Sequence, residues 1–316
     1  MAHQVAVKGF DDMSLWWPDS GETLIARAPL TFATGAATPV KGMRWFRDAE
    51  RNDIQNELDG WPEGPAYTVR STASTVGRNT LKGAAMAAGL AVMGLLSSQA
   101  GSVGPGRSGK GSDTSHDRAD EVEDFPVMWA APGSVARTLP WQLDPARSPQ
   151  DRYRTHAVIT DQRLVLVGFP YVKGDEKRIA DEFLWEIPRS GIERVELRDF
   201  KIGNDAKIAF TDGSWFRASS INRERLTRYL IEAPDFIPLA SLTQPQRTTA
   251  EGFATAQASD AQPPLVKRNS CGCFRIEVLA PSTVHASFGH SGLNTVMDAN
   301  GTELRLTEYH QEDFLT

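Results

Sequence analysis

The residues best suited to chemistry in this sequence are two cysteines separated by a single glycine, Cys271 and Cys273. Thiolates bind soft metals, and a Cys-x-Cys pair supplies two of the four ligands that zinc requires. The nearby histidines are His285, His290 and His310, and none has a recognised ligand spacing. The sequence therefore favours two ordinary thiols at a strand start. No metal and no cofactor is predicted, and Cys271 and Cys273 are kept as candidates.

A second motif with apparent chemistry runs from Gly104 to Lys110 and matches the GxxxxGK pattern of phosphate-binding loops. That pattern needs Ser or Thr next, to hold magnesium, and it needs a strand before it. Here Gly111 follows, and a Gly/Ala-rich helix is predicted to precede it. No nucleophile-elbow or zinc-protease motif is present, so no catalytic residues and no enzyme activity are predicted. A hydrolase built from scattered residues stays open as an alternative.

Three arginines on one predicted helix, Arg223, Arg225 and Arg228, are candidates for an interaction with an anionic surface. They lie outside the apolar stripe of the helix, which is predicted over residues 222–230. Glu224 and the net charge of −6 favour a solvated helix face instead. With a pI of about 5.6, the chain also lacks the basic footprint of nucleic-acid-binding proteins, so no nucleic-acid partner is expected.

An apolar helix rich in Gly and Ala is predicted over residues 74–98, and its uninterrupted apolar run has fourteen residues, 83–96. A membrane span needs about 20. The alternatives are a helix packed on this chain or on a partner, a helix lying at a membrane surface, and a true span. The large apolar side chains that would make such contacts are Leu81, Met86, Leu90, Met93, Leu95 and Leu96. Residues 99–123 are rich in Gly, Ser and charge, which predicts a disordered linker.

Short strands separated by turn residues are predicted between residues 155 and 218. Period-2 alternation and dipeptides such as Asp212-Gly213 indicate strands joined by tight turns. Asn222 is suited to cap the helix that follows. The predicted strands are 155–160, 163–169, 183–187, 192–197, 206–210 and 215–218.

A family resemblance is carried by the hairpins, the middle strands and the closing helix. The residues concerned are TDQRL at 160–164, WEIP at 185–188, FTDG at 210–213 and LTRYL at 226–230. In this order they resemble the bacterial pleckstrin-homology-like (PH-like) and GRAM-like domains over residues 155–231, with a first strand near 22–28. The resemblance implies an α+β, mainly β fold. It would be a small PH-like β-barrel capped by a C-terminal helix, with a long helical and disordered insertion and a small β-rich C-terminal appendage.

The predicted domain organisation follows from this resemblance and from composition. An N-terminal arm covers residues 1–21, and a PH-like domain covers 22–232, split by the insertion that carries 74–98 and 99–123. A polar linker covers 233–269, and the β appendage covers 270–316.

The expected function is that of a non-enzymatic protein-interaction or scaffold module with a protein partner. The first alternative is a peripheral membrane protein that docks through residues 81–96, and the second is a hydrolase without a recognisable motif. Two cysteines cannot build a disulfide framework, and the N-terminus lacks the features of a signal peptide, which favours the cytoplasm. Frequent Ala, Arg, Gly and Asp are typical of a GC-rich bacterial genome, such as an actinobacterial one.

Overall fold

The structure is a computed structural model, and it describes eight parts of the chain: residues 15–35, 45–62, 126–144, 153–176, 179–200, 204–231, 235–257 and 262–314. The predicted apolar helix 74–98 and the predicted linker 99–123 lie outside these ranges, and so do the six apolar candidates between Leu81 and Leu96. Among the described residues, every helix is too short or too polar to cross a bilayer.

Strands dominate the described residues, which contain only three short α-helices. The first ten strands are β1 Leu24–Pro29, β2 Thr31–Phe32, β3 Phe46–Arg47, β4 Met128–Trp129, β5 Tyr153–Thr160, β6 Arg163–Pro170, β7 Glu182–Pro188, β8 Ile192–Asp199, β9 Asn204–Phe210 and β10 Trp215–Ser219. The remaining elements are α1 Arg223–Ile231, α2 Gln244–Gln257, β11 Leu265–Arg268, β12 Phe274–Pro281, α3 His285–Phe288 and β13 His290–Met297.

The strands form three sheets. Sheet A has four strands in the order β1-β5-β6-β7, and sheet C has three in the order β11-β12-β13. Sheet B has six strands: β3-β4-β10-β9-β8 lie side by side, and β2 also pairs with β10. All pairs are antiparallel except β3 with β4.

The predicted closed PH-like barrel is wrong, because none of these three sheets closes on itself. The chain passes from β7 to β8 through a single turn at Arg189–Gly191, and these two strands belong to different sheets. Alternation and turn residues specify where strands begin and end. They do not specify which strand edges meet, because that pairing is set by contacts distant in sequence.

Sheet A is the middle layer of the described fold, and β6 shows why. Its run of four aliphatic residues, 164–167, is completely buried, as expected of a strand whose two faces are both covered. Leu164 and Leu166 join the core shared with sheet B and α1, whereas Val165 and Val167 pack with Leu279 of sheet C on the opposite face. Sheet C is therefore held against the larger body through a second, smaller core.

Strand and helix positions between residues 153 and 231 agree with the sequence predictions to within about two residues, which is ordinary variation in element ends. The predicted opening strand at 22–28 is present as β1, and it pairs with β5 through Ala28 and Ala157. Further on, the predicted linker 233–269 contains the helix α2 at residues 244–257, and the predicted β appendage 270–316 contains the short helix α3 beside its strands.

Helix α2 shows how a polar segment folds here. Among its residues only Gln246 and Ala250 are buried, at the i, i+4 spacing of one helical face. The side-chain amide of Gln246 also donates to the carbonyl of Ala299 at 2.8 Å, which attaches the helix to the turn that follows β13. Packing therefore stabilises a helix whose composition alone indicated a linker.

Candidate metal centre

The turn between β11 and β12 places both thiols at one end of sheet C. The N–H of Asn269 donates to the carbonyl of Cys273 at 2.8 Å, and the N–H of Gly272 donates to the carbonyl of Asn269 at 3.0 Å. Gly272 has a φ of +93°, a conformation that a side chain would strain. The turn therefore needs glycine between Cys271 and Cys273, and it directs both cysteines toward the end of the chain.

A tight turn near the C-terminus brings a histidine and a carboxylate to the same place. The N–H of Asp313 donates to the carbonyl of His310 at 3.0 Å, and the N–H of His310 donates to Asp313 Oδ2 at 2.9 Å. These reciprocal bonds close the turn that contains the 3₁₀ segment Gln311–Phe314. They hold the carboxylate of Asp313 beside the imidazole of His310.

The two turns meet, and the four ligand atoms all lie within 4.8 Å of one another. Cys273 Sγ lies 3.7 Å from His310 Nδ1. Asp313 lies 3.3 Å from Cys271 Sγ through Oδ1 and 3.3 Å from His310 Nδ1 through Oδ2. A tetrahedron with zinc–ligand bonds of normal length has edges of about 3.3–3.8 Å. The three contacts given above match such edges, whereas the limit of 4.8 Å for the whole set exceeds them, so zinc would draw the four ligands somewhat closer together.

The pKa shifts of Cys273 and Asp313 are those expected at a cation-binding site. Burial raises the pKa of Cys273 to about 11, and the neighbouring thiol of Cys271 and the charge of Asp313 act in the same direction. Burial also opposes the charged form of Asp313. The hydrogen bonds from Asn269, from the His310 N–H and from Cys271 outweigh it and lower the pKa of this carboxyl. A divalent cation would favour the thiolates, so its binding would release protons.

The surroundings of the cluster favour a structural site over a catalytic one. Asn269 Nδ2 donates to Asp313 Oδ1 at 2.7 Å, which orients the carboxylate as outer-shell partners of metal ligands do. The side chain of Asp313 is fully buried, whereas that of His310 is 56% exposed, so an ion can enter from the histidine side. With four protein ligands, the coordination shell of a bound zinc ion would be closed.

Only one of the three candidate histidines joins the thiols. His285 and His290 lie beside His156 in a buried group near Arg27, with centroid distances of 4.9 Å between His285 and His290 and 5.8 Å between His156 and His285. Burial lowers the pKa of His290 to about 2, and the charges of His285 and Arg27 add to the effect. This group contributes no ligand to the candidate centre.

Asp313 was missed by the reasoning from sequence. A signal did exist, because His310 and Asp313 have the i, i+3 spacing that places two side chains on one side of a tight turn. The spacing is not specific by itself, and the thiols that complete the set lie far away in sequence.

The three candidate arginines of α1 contact different parts of the molecule. Arg223 donates to the carbonyl of Arg198 at 2.9 Å and to the carboxylate of Asp199 at 2.5 Å, so it ties α1 to β8. Arg225 forms an ion pair with Glu277 of β12. Arg228 lies 5.0 Å from the ring centroid of its neighbour Tyr229. Arg225 and Arg228 face sheet C, whereas Arg223 does not share that surface.

Comparisons with protein-family models, with curated proteins and with solved structures found no match to this chain. They neither support nor exclude the resemblance of residues 155–231 to PH-like and GRAM-like domains, which stays a prediction.

Proposed function

We propose that this chain is a cytoplasmic, non-enzymatic interaction protein in which a bound Zn²⁺ holds the C-terminal unit together. The C-terminal unit is defined as residues 265–314, which comprise sheet C, α3 and the segment that follows β13. The observation that carries the proposal is the convergence of four ligand atoms from Cys271, Cys273, His310 and Asp313 within 4.8 Å.

The donor set favours zinc over other common ions. Two thiols and an imidazole are soft or borderline ligands, which select Zn²⁺ rather than Mg²⁺ or Ca²⁺. Four protein ligands leave no position for a substrate, which supports a structural role for the ion. A reducing compartment would keep both thiols available for the metal.

The C-terminal unit would gain stability from such an ion. The last segment offers few buried apolar groups, since Leu306 is 71% exposed and Phe314 is 57% exposed. A metal that joins Cys273 to His310 closes a long loop, and closing a long loop restricts the unfolded chain in the way a disulfide does. The ion would therefore supply stability that the small core of this unit does not.

The interaction role is supported by the same two residues. Exposed Leu306 and Phe314 belong to the segment that the metal would fix, so zinc would present them on an ordered surface. A protein partner is the occupant proposed for that surface. Docking to a membrane through residues 81–96 remains a separate prediction, because those residues lie outside the described ranges. Equal membrane fractionation of the full chain and of a deletion of 81–98 would remove it.

The metal proposal is tested by titrating the purified, reduced full chain with Co²⁺. Tetrahedral cobalt bound by thiolates has intense visible and near-ultraviolet absorption, and we expect it to saturate at one equivalent. Asp313→Asn and the double variant Cys271→Ser, Cys273→Ser should weaken or abolish the bands. Glu312→Gln, which removes the exposed carboxylate beside Asp313, is the matched control and should retain them.

Added Zn²⁺ should displace the cobalt and bleach the absorption, since zinc binds such sites more tightly. Absorption typical of octahedral cobalt, or equal absorption in the double cysteine variant, would contradict the proposed ligand set.

A further inference from the structure

A cleft separates α1 from sheet C, and its lining belongs to both. It consists of two adjoining cavities of about 240 and 320 Å³, which share Arg228, Arg275 and Glu277. We call it the α1–β12 cleft. Its second cavity is bordered by Gly292 and Asn294 of β13, and its first cavity extends toward the β11–β12 turn at Asn269.

The charge of this cleft is opposite to that of the whole chain. Five cationic side chains and three carboxylates line it, whereas the chain carries a net charge of −6. The cations are Arg225, Arg228, Lys267, Arg268 and Arg275, and the carboxylates are Glu224, Glu277 and Glu312. A cationic recess in an acidic protein attracts anions to that one place.

The central carboxylate of the cleft is already engaged. Glu277 accepts a hydrogen bond from Arg225 and another from the hydroxyl of Tyr229 at 2.9 Å. Its charge is compensated by Arg225, so it opposes an incoming anion less than an isolated carboxylate would. The cations of the first cavity therefore dominate the potential that a ligand meets there.

Two of the arginines are oriented by aromatic rings. The guanidinium of Arg228 lies 5.0 Å from the ring centroid of Tyr229, and that of Arg268 lies 5.8 Å from the ring centroid of Phe274. A guanidinium in cation–π contact with a ring still has N–H groups at its edge that can donate to a planar or tetrahedral anion. The contact also reduces the entropy that is lost on binding, because the side chain is partly restrained.

The remaining lining suits a small phosphorylated molecule. Tyr229, Phe236 and Leu265 give the first cavity an apolar side, while Asn269 and Ser270 supply hydrogen-bonding groups. Phosphate matches several converging arginines because it accepts paired hydrogen bonds from a guanidinium.

We infer that the α1–β12 cleft binds the phosphate group of a small, soluble phosphorylated ligand. The first cavity alone has a volume of about 240 Å³, below the usual range of about 300–1,000 Å³ for drug-sized ligands, so a small molecule fits it best.

This inference goes beyond the proposed zinc role and does not require it. The cleft and the metal cluster are adjacent in sequence, because Ser270 precedes Cys271 and Glu312 precedes Asp313. Variants of the cleft cations leave all four metal ligands intact, so the two proposals can fail separately.

The test is isothermal titration calorimetry of the full chain with inorganic pyrophosphate as the probe, in low-salt buffer. We expect saturable binding at one site, weakened by added salt. Lys267→Gln and Arg228→Gln should each weaken binding about 10-fold, the scale of a lost charged hydrogen bond. Glu312→Gln should strengthen it about 2-fold by removing an opposing charge. Lys267 is exposed, so its substitution should not impair folding.

The matched control is Lys173→Gln, which removes an exposed lysine of the β6–β7 loop that does not line the cleft. It should leave the pyrophosphate affinity unchanged. Absence of saturable binding, or equal weakening by Lys173→Gln and Lys267→Gln, would overturn the inference.

Two further probes establish which anion is recognised. Citrate at the same concentration should bind more weakly than pyrophosphate, and tighter citrate binding would overturn the phosphate assignment. Co-sedimentation with vesicles that contain phosphatidic acid separates a lipid headgroup from a soluble ligand. Binding to those vesicles without binding to pyrophosphate would contradict a soluble ligand.

Discussion

The body formed by sheets A and B and the C-terminal unit of residues 265–314 are stabilised by different means. In the body, aromatic rings pack against one another in a continuous core, as in the contacts of Phe216 with Phe32 and Phe210 at centroid distances near 6 Å. Sheet C packs against two far smaller cores. One is shared with sheet A and includes Leu265 and Leu279. The other lies on the α2 side, and its buried members are Leu242, Ala250, Val266, Phe274, Ile276 and Met297. Small units bury too little apolar surface to be stable alone, so they depend on cross-links or metals.

The largest expected effect comes from opening a cavity in the body. Phe216→Ala removes a completely buried ring and should lower the free energy of unfolding by about 3–5 kcal/mol. Urea unfolding followed by tryptophan fluorescence measures it, and the loss should be equal in zinc and in chelator. Phe314→Ala removes a ring that is 57% exposed and should change stability by less than about 0.5 kcal/mol. A zinc-dependent loss in Phe216→Ala would remove the distinction between the two regions.

A somewhat smaller effect is expected from the buried ion pair of sheet B. Arg217 Nη1 lies 3.2 Å from Asp205 Oδ2, and both side chains are almost completely buried. Asp205→Asn leaves the guanidinium without its counter-ion and should cost about 3 kcal/mol. Burial raises the pKa of Asp205, although Arg217 opposes the shift, which places the cost at the lower end of the range. Chemical unfolding of Asp205→Asn beside Asp199→Asn, an exposed aspartate of β8, provides the comparison.

The proposed zinc ion should contribute on the order of 2 kcal/mol, and only to the C-terminal unit. Cys273→Ser should increase amide hydrogen exchange in β11, β12 and the segment after β13. Exchange in β5, β6 and β10 should stay the same. Hydrogen exchange read by mass spectrometry reports both regions in one experiment. Equal deprotection of sheet A and sheet C would show that the metal stabilises the whole molecule.

The smallest effect is a dependence of stability on pH that originates at the contact between sheet C and sheet A. His290 pairs with Pro281 at the start of β13, and burial lowers its pKa to about 2. The unfolded chain therefore binds a proton below about pH 6.5 that the folded chain excludes, so stability falls as pH decreases. The expected slope from this group is at most about 1.4 kcal/mol per pH unit between pH 5 and 6.

His290→Leu should remove that part of the slope. Unfolding free energies at pH 5, 6, 7 and 8 measure the difference between the wild-type chain and the variant. His156, whose pKa burial also lowers, contributes a further part of the slope with the same sign. An unchanged slope in His290→Leu would contradict the assignment.

Local features of this fold could be predicted from the sequence, whereas features that depend on contacts between distant residues could not. The turn at Asp212-Gly213 was predicted from its dipeptide, and Gly213 adopts the positive φ that the turn needs. The arrangement of sheets was not accessible, because the register between β1 and β5 joins residues more than a hundred positions apart.

The candidate metal centre could be predicted only in part from the sequence. The Cys-x-Cys pair and His310 were recognised as possible ligands, but their combination with Asp313 depends on the path of β13 and of the segment after it. Likewise, Arg225 and Arg228 were identified as interaction candidates, and only the packing of α1 against sheet C places them at a cleft. Spacing along a chain predicts neighbours within one element, whereas a site assembled from several elements requires the fold.

The zinc content of the purified full chain decides whether the C-terminal unit holds one zinc ion. Inductively coupled plasma mass spectrometry, normalised to protein concentration, should give one equivalent in the wild-type chain and in Glu312→Gln. It should give essentially none in the double variant Cys271→Ser, Cys273→Ser. A wild-type chain that retains no zinc after purification with zinc present, or a double variant that retains as much as the wild type, would contradict the account.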